Sequence, residues 1–353
     1  MTDIYKRLQQ RLDSIASGFP ETKSGVELAL LQKLFTEDEA SFFIDMSPML
    51  ETPDAVATRL GRDADETARR LEDMAGKGLL FRLRRKGSAK YAAIPYVVGI
   101  FEFQLNRLDK DTAAKMEAYF HEAFGKTIQA NKTPLMRTVP VNREVSAKLP
   151  VAPYDDVIAI LEAQKTIAVA PCICRKTADL LDKGCDKPLE ACLLFGAHAD
   201  YYVDNGMGRY ISIDEAKAVA TRSEAAGLVM QPFNSQKAGG MCSCCGCCCG
   251  ILRSLKLQPN PADSVQSNYF AVVSAADCTG CETCLDRCPM AAITMADDIA
   301  QIDRSRCIGC GLCVTTCPTD AITLEAKAET AHYLPPASGM ETYIKITQER
   351  GKL

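Results

Sequence analysis

From residue 25 to residue 78, apolar positions recur every three or four residues, the period of helices that bury one side. GVELALLQKLF carries such a side, and TEDEASFFIDM opens with Thr36 and Glu39 spaced as a capping box. ETPDAVATRLG begins at Thr52 before Pro53 and stops at Gly61. ADETARRLEDMAGKG has Asp63 as its cap, Ala68, Leu71, Met74 and Ala75 facing inward, and Gly78 at its end. The period then falls to two: LLFRLRRKGSAKYAAI alternates Phe81 and Leu83 with Arg82 and Arg84, turns at Lys86-Gly87-Ser88 and returns through Tyr91 and Ala93. Residues 99–125 predict one amphipathic helix or a broken pair, with Phe101, Leu105, Leu108, Met116, Phe120 and Phe124 as its apolar members. That stripe is expected to pack on a neighbouring domain, with a homodimer interface as the second reading. Residues 126–150, with Pro134, Pro140 and Pro150, predict an irregular connector.

Helix, turn, helix and basic hairpin follow the order of winged helix-turn-helix domains, and residues 25–94 resemble those of prokaryotic regulators. The resemblance implies residues 64–77 in a major groove, with Arg82, Arg84, Arg85, Lys86 and Lys90 on phosphates. Asp63, Asp65, Glu66, Glu72 and Asp73 lie on or beside that helix, where they would repel phosphate. Docking on a protein or a structural role is therefore favoured over DNA.

Near the carboxyl end the pattern gives way to a repeat. DCTGCETCLDRCPM holds Cys278, Cys281, Cys284 and Cys288 before Pro289; RCIGCGLCVTTCPT holds Cys307, Cys310, Cys313 and Cys317 before Pro318. Both read C-x2-C-x2-C-x3-C-P, about 29 residues apart, and AAITMADDIAQID and DAITLEAKAET follow them in parallel. Residues 266–330 closely resemble the bacterial ferredoxins with two 4Fe–4S clusters. In that family the fourth cysteine of each run serves the other cluster. The resemblance thus implies one cluster on Cys278, Cys281, Cys284 and Cys317, a second on Cys307, Cys310, Cys313 and Cys288, and low-potential electron transfer. Gly280, Gly309 and Gly311 are expected to let the backbone come close to the inorganic sulfides. Each fourth cysteine is expected at the start of a helix.

Ten further cysteines fall between residues 151 and 265. A helical stretch, YDDVIAILEAQ, and a strand, TIAVAP, lead to Cys172, Cys174, Cys185 and Cys192; MCSCCGCCCG then packs six cysteines into residues 241–250. Buried free cysteines usually occur singly among aliphatic neighbours, so a metal centre joining the two regions explains them better. The candidate ligands are Cys172, Cys174, Cys185, Cys192, Cys242, Cys244, Cys245 and Cys248. A third 4Fe–4S cluster is the leading reading; more clusters, a larger non-cubane one, or zinc are the alternatives. Adjacent cysteines point apart and cannot easily serve one small site, and even two cubanes leave a pair spare. The CCG segments are similar to those of heterodisulfide-reductase-type subunits, but their spacing differs and no active-site chemistry carries over. Arg175 and Lys176 are candidates to offset cluster charge, with a solvated helix start as the alternative. His198 reads as a structural residue rather than a proton carrier.

Composition narrows the choices. The 353 residues include 18 cysteines and 47% apolar residues, enough for several domains. The amino end has no apolar run suited to a signal peptide, and no segment has the roughly 18 uninterrupted apolar residues of a membrane span. A cytoplasmic metal–thiolate protein, without membrane insertion, is expected rather than a secreted disulfide scaffold. A net charge of −4 gives no global field for nucleic acid. Neither G-x-G-x-x-G after a strand nor a Walker motif occurs, so no dinucleotide or ATP is indicated.

The expectation is a multidomain α+β chain: a winged-helix-like domain at 1–98, a helical connector at 99–150, a cysteine-rich α/β metal-binding domain at 151–265, a ferredoxin domain at 266–330, and a tail at 331–353 packed on the surface. Its expected role is a relay of low-potential electrons, as in anaerobic metabolism, through two 4Fe–4S clusters to or from an additional metal centre or a redox partner protein. Whether it is also an enzyme stays open: a reductase with substrate at the middle metal centre and an iron–sulfur-sensing DNA-binding regulator are the alternatives.

Overall fold

The computed structural model describes residues 2–85, 87–141 and 152–353; Lys86 and the end of the connector, 142–151, lie outside it. Three of the first five helices are bounded by local chemistry. Helix Glu37–Ile44 is closed by the reciprocal capping box of Thr36 and Glu39. Helix Pro53–Leu60 has Thr52 as its cap and a left-handed Gly61 at its end. Helix Ala64–Gly76 is capped by Asp63, whose side chain accepts from the Glu66 N–H, and buries Leu71, Met74 and Ala75. Helix Val26–Leu34 precedes them. An earlier helix, Thr2–Asp13, buries Tyr5, Leu8 and Leu12. Strands β1 (Phe81–Arg85) and β2 (Ser88–Ala92) form the antiparallel hairpin, and Glu51 adds a single bridge to Tyr91.

The stripe at 99–125 is broken. Residues 96–100 include extended backbone at Val97, and regular helix begins only at Lys110–Tyr119, where Asp109 accepts from the Thr112 N–H. The break lets Phe101, Met116, Phe120 and Phe124 face the same cavity in the middle of the molecule. The described part of the connector is held along an edge strand: Val139 N–H donates to Met230 O (3.2 Å) and Arg137 N–H to Pro232 O (3.2 Å).

The middle segment is built on five strands: β3 (Ile167–Pro171), β4 (Glu190–Phe195), β5 (Arg209–Ile211), β6 (Val229–Pro232) and β7 (Gly240–Cys244), ordered β5-β3-β4-β7-β6. Every neighbouring pair is antiparallel, so the expected α/β segment is an α+β arrangement. Parallel neighbours need a crossover to the opposite end of the sheet. Here helix Ile173–Leu180 and its loop return the chain to where they left it, with Glu190 opposite Pro171.

The carboxyl-terminal segment holds two two-stranded antiparallel sheets, one nested within the other along the chain. Strand β8 (Tyr269–Val273) pairs with β11 (Ile322–Ala326), and β9 (Ile293–Ala296) with β10 (Ile299–Ile302). Helix Thr283–Arg287 ends at Cys288 as its C-cap residue. The fourth cysteine of the first run therefore closes a helical turn instead of opening one, because Pro289 cannot continue a hydrogen-bonded helix.

The largest core ignores the expected boundaries at 98 and 150. It joins Leu8, Phe43, Leu71 and Ile100 to Ala168, Leu194 and Tyr201, and to Ile346 of the tail. The tail packs on the surface as expected and sends one side of its helix into this core: helix Gly339–Glu349 buries Ile346, Tyr343 Oη donates to Val98 O (3.2 Å), and Arg350 pairs with Asp13 (2.7 Å). No helix among the described residues is long and apolar enough to cross a membrane. Truncating the fully buried side chain in Ile346→Ala is expected to destabilise the fold by about 2–5 kcal/mol. Ile344→Ala, at a side chain 41% exposed, is expected to leave the denaturant midpoint of the same preparation nearly unchanged.

Candidate metal centres

The eight thiols of the repeat converge on two small cavities of about 20 Å³ each. Cys278, Cys281, Cys284 and Cys317 line one; Cys288, Cys307, Cys310 and Cys313 line the other. Backbone and hydroxyl donors already point at the sulfurs. Ala292 N–H reaches Cys288 Sγ (3.3 Å), Ala271 N–H reaches Cys307 Sγ (3.4 Å), and Thr283 Oγ1 reaches Cys281 Sγ (3.6 Å). The Thr283 hydroxyl and amide hold Cys281 below the usual thiol pKa, favouring the thiolate that binds metal. Gly280 and Gly309 both have positive φ, and a Cβ on Gly309 would run into the Tyr269 carbonyl. These glycines thus admit close passage of the chain's own strands.

The ten middle cysteines sort into six and four. Cys172 precedes helix Ile173–Leu180, Cys174 lies in its first turn, Cys192 sits on β4, Cys242 and Cys244 share a face of β7 by the period of two, and Cys249 precedes helix Gly250–Lys256. Their side chains close a ring. Cys172 meets Cys174 and Cys192, Cys249 meets Cys174 and Cys244, and Cys242 meets Cys192 and Cys244. The neighbouring thiols hold Cys172, Cys242 and Cys249 low, Cys242 at about 6, while the intervening Cys174, Cys192 and Cys244 are pushed up. Ionising all six would place six charges in a buried space, at a cost that bound cations would offset.

The remaining four, Cys185, Cys245, Cys247 and Cys248, form a tighter group with all sulfurs within 4.8 Å of one another. Between the two groups lies Arg175, 3% exposed. Its Nη1 donates to Ser243 O (3.1 Å) and Cys245 Sγ (3.8 Å), while Nε and Nη2 are buried without a partner. Orphaned cationic donors among thiols fit an anionic metal–sulfur group. Lys176 is used otherwise, donating to Leu105 O (2.6 Å).

The ring forms one wall of a cavity of about 240 Å³. Tyr96, Tyr119, Phe120 and Tyr202 line it, as do Glu117, His121 and Arg253, with His121 exposed. Arg253 forms a two-point ion pair with Glu117 (2.6 and 3.1 Å). Glu102 also lines the cavity, accepting from Gly99 N–H (2.8 Å), and burial pushes its carboxyl up to about 8. His198 is not among the lining residues. It packs between Phe81 and Phe233 against Gly239, and burial lowers it to about 4, a neutral structural residue.

The turn that carries Cys245 and Cys247 lies against the repeat. A Cβ on Gly246 would lie 3.2 Å from both the Cβ and the carbonyl oxygen of Pro289, the residue after Cys288. Cys244 and Cys249 also share one apolar cluster with Cys288, Cys307 and Cys310.

At the hairpin, Arg82 is buried, bound to Glu72 (2.7 Å) and Asp204 (3.5 Å), and Arg84 bridges the same two carboxylates (2.5 and 2.6 Å). These two arginines, assigned to phosphates from the sequence, tie the hairpin to the middle segment; Arg85 and Lys90 remain exposed, and Lys86 lies outside the described residues.

The sequence-based candidates leave out Cys247 and Cys249, which the structure brings into the group of four and the group of six. Their signal was adjacency: neighbours point apart, and Cys244 and Cys245, like Cys248 and Cys249, divide between the groups.

A family model described as a 4Fe-4S dicluster domain matches residues 277–332. No curated protein and no solved structure matches the chain. The family match and the two four-thiol cavities support iron–sulfur binding and, in general terms, an electron-transfer role.

Two outcomes follow from this geometry. Gly309→Ala is expected to lower iron content, since an added Cβ collides with the backbone of β8 beside the Cys307–Cys313 loop; iron analysis of the purified chain checks it. A carboxyl raised from 4.5 to about 8 is neutral at pH 7, so Glu102 should show a protonated-carboxyl infrared band that fades as pH rises through about 8 and is absent from Glu102→Gln. Its contribution to stability is complete below pH 4.5 and lost as pH rises through 8, so Glu102→Gln should gain relative stability on the alkaline side.

Proposed function

We propose that this chain is an iron–sulfur electron-transfer protein in which the ferredoxin segment exchanges electrons with a metal centre held by the ring of six cysteines, serving a redox partner protein. The packing of Cys244 and Cys249 of the ring in one apolar cluster with Cys288, Cys307 and Cys310 of the repeat carries the reading, because it sets the ring directly beside one four-thiol group of the ferredoxin segment. The crossed ligand sets of the repeat would hold two 4Fe–4S clusters, which supply one-electron chemistry at low potential. The six-membered ring exceeds the four thiolates a cubane uses. That count favours a larger, non-cubane iron–sulfur group over a third cubane.

Eighteen free thiols suit a reducing compartment such as the cytoplasm. The regulator reading loses its main contacts, since Arg82 and Arg84 are paired internally. The reductase reading gains one observation: an aromatic cavity reaches the ring from the side of the exposed His121, so a small apolar or aromatic molecule could approach the centre.

Anaerobically isolated protein is expected to carry more than about eight irons, the number two cubanes hold. Cys244→Ser should remove the surplus and leave the reversible reduction of the ferredoxin segment intact. A wild-type chain with eight irons or fewer, or a surplus untouched by Cys244→Ser, overturns the proposal. If no small molecule reoxidises the reduced wild-type chain faster than the Cys244→Ser variant, the reductase reading falls while the transfer reading stands.

A further inference from the structure

The four cysteines outside the ring do not have the dimensions of a cluster site. All four sulfurs of Cys185, Cys245, Cys247 and Cys248 lie within 4.8 Å of one another, with Cys248 at 3.6 Å from Cys185 and 3.8 Å from Cys247. A single tetrahedral ion bound at about 2.3 Å by four thiolates sets them about 3.8 Å apart, the edge of that tetrahedron. A cubane interposes an iron between each thiolate and the cluster centre, and so spreads its four sulfurs much farther.

We infer that Cys185, Cys245, Cys247 and Cys248 form a separate site for one metal ion, a zinc or a mononuclear iron, held by four thiolates with no inorganic sulfide. The tetrad is distinct from the ring in its packing: Cys244 and Cys249 belong to one apolar cluster and Cys245 and Cys248 to another, although Cys245, Cys247 and Cys248 also line the cavity beside the ring. Its environment suits a closed site. Cys245 and Cys248 are buried with Ala191 and Leu228, Cys185 arrives from the loop after helix Ile173–Leu180, and Cys247 alone is exposed. Arg175 donates to Cys245 Sγ, offsetting part of the charge of four thiolates around a divalent ion. Four protein ligands complete the tetrahedron, leaving no position for substrate. Because Gly246 lies between two of these ligands and rests on Pro289, the ion would brace the turn that meets the ferredoxin segment.

The inference needs no assumption about what the ring holds, so its test is separate from that of the proposed function. Full-length protein, isolated anaerobically, is analysed for zinc, iron and acid-labile sulfide beside Cys247→Ser, whose exposed position spares the core. The expected result is the loss of about one metal ion per chain in the variant, with the sulfide count unchanged. Loss of zinc identifies one arm; loss of one iron, with a high-spin tetrathiolate Mössbauer signature in the wild type, identifies the other. For zinc, X-ray absorption of the wild type should show four sulfur neighbours at about 2.3 Å and no metal–metal scattering. Unchanged sulfide also reports that the variant is folded. Cys185→Ser, on the opposite side of the tetrad, should reproduce the result. Loss of iron and sulfide together in both variants, or no loss of metal in either, overturns the inference.

Discussion

Sulfur atoms buried side by side repel one another as thiolates, and that electrostatic constraint governs the middle of this chain. Six thiols meet in a ring whose members are held alternately below and above the usual thiol pKa by their neighbours, beside one buried arginine with two unpartnered donors. The sheet exists in a form that serves this ring. Strands β4 and β7 bring Cys192 beside Cys242 and Cys244, and the ends of two helices add Cys172, Cys174 and Cys249. The antiparallel order places β4 and β7 next to each other although some fifty residues separate them in sequence.

The same constraint shapes what surrounds the ring. The apolar stripe of residues 99–125 breaks at Asp109, so its two parts close over the cavity and do not continue as one rod. Glu102 is carried with it, a carboxyl kept neutral by burial beside the thiols. The repeat is fastened to the rest of the chain: Arg306 donates to carbonyls of Lys256 (3.1 Å) and Gln258 (3.2 Å), and Val141 N–H donates to Cys310 O (3.1 Å). Thiol groups and fastenings are therefore one construction rather than beads on a chain.

The amino-terminal helices and hairpin take part through charge. Glu72, on the helix that would read DNA in the sequence-based resemblance, accepts from Arg82, Arg84 and the Tyr91 hydroxyl, and Asp204 of the middle segment completes the network. Basic residues that look like a phosphate-binding edge in one dimension become internal ties in three.

Local chemistry determined much of this protein in sequence. Thr36 with Glu39, Thr52 with Pro53, Gly61 and Asp63 specify helix ends because each satisfies or spares backbone groups a few residues away. The repeated C-x2-C-x2-C-x3-C-P likewise points to its chemistry because ligand spacing is a local property. What the sequence could not decide was partnership over distance: that Cys185 belongs with Cys245, Cys247 and Cys248, that Cys249 completes a ring with Cys172, that Ile346 fills the first core. Those pairings depend on which strand lies beside which and on where a connector breaks. Adjacent cysteines look equivalent along the chain and separate only when the backbone turns their side chains into different groups.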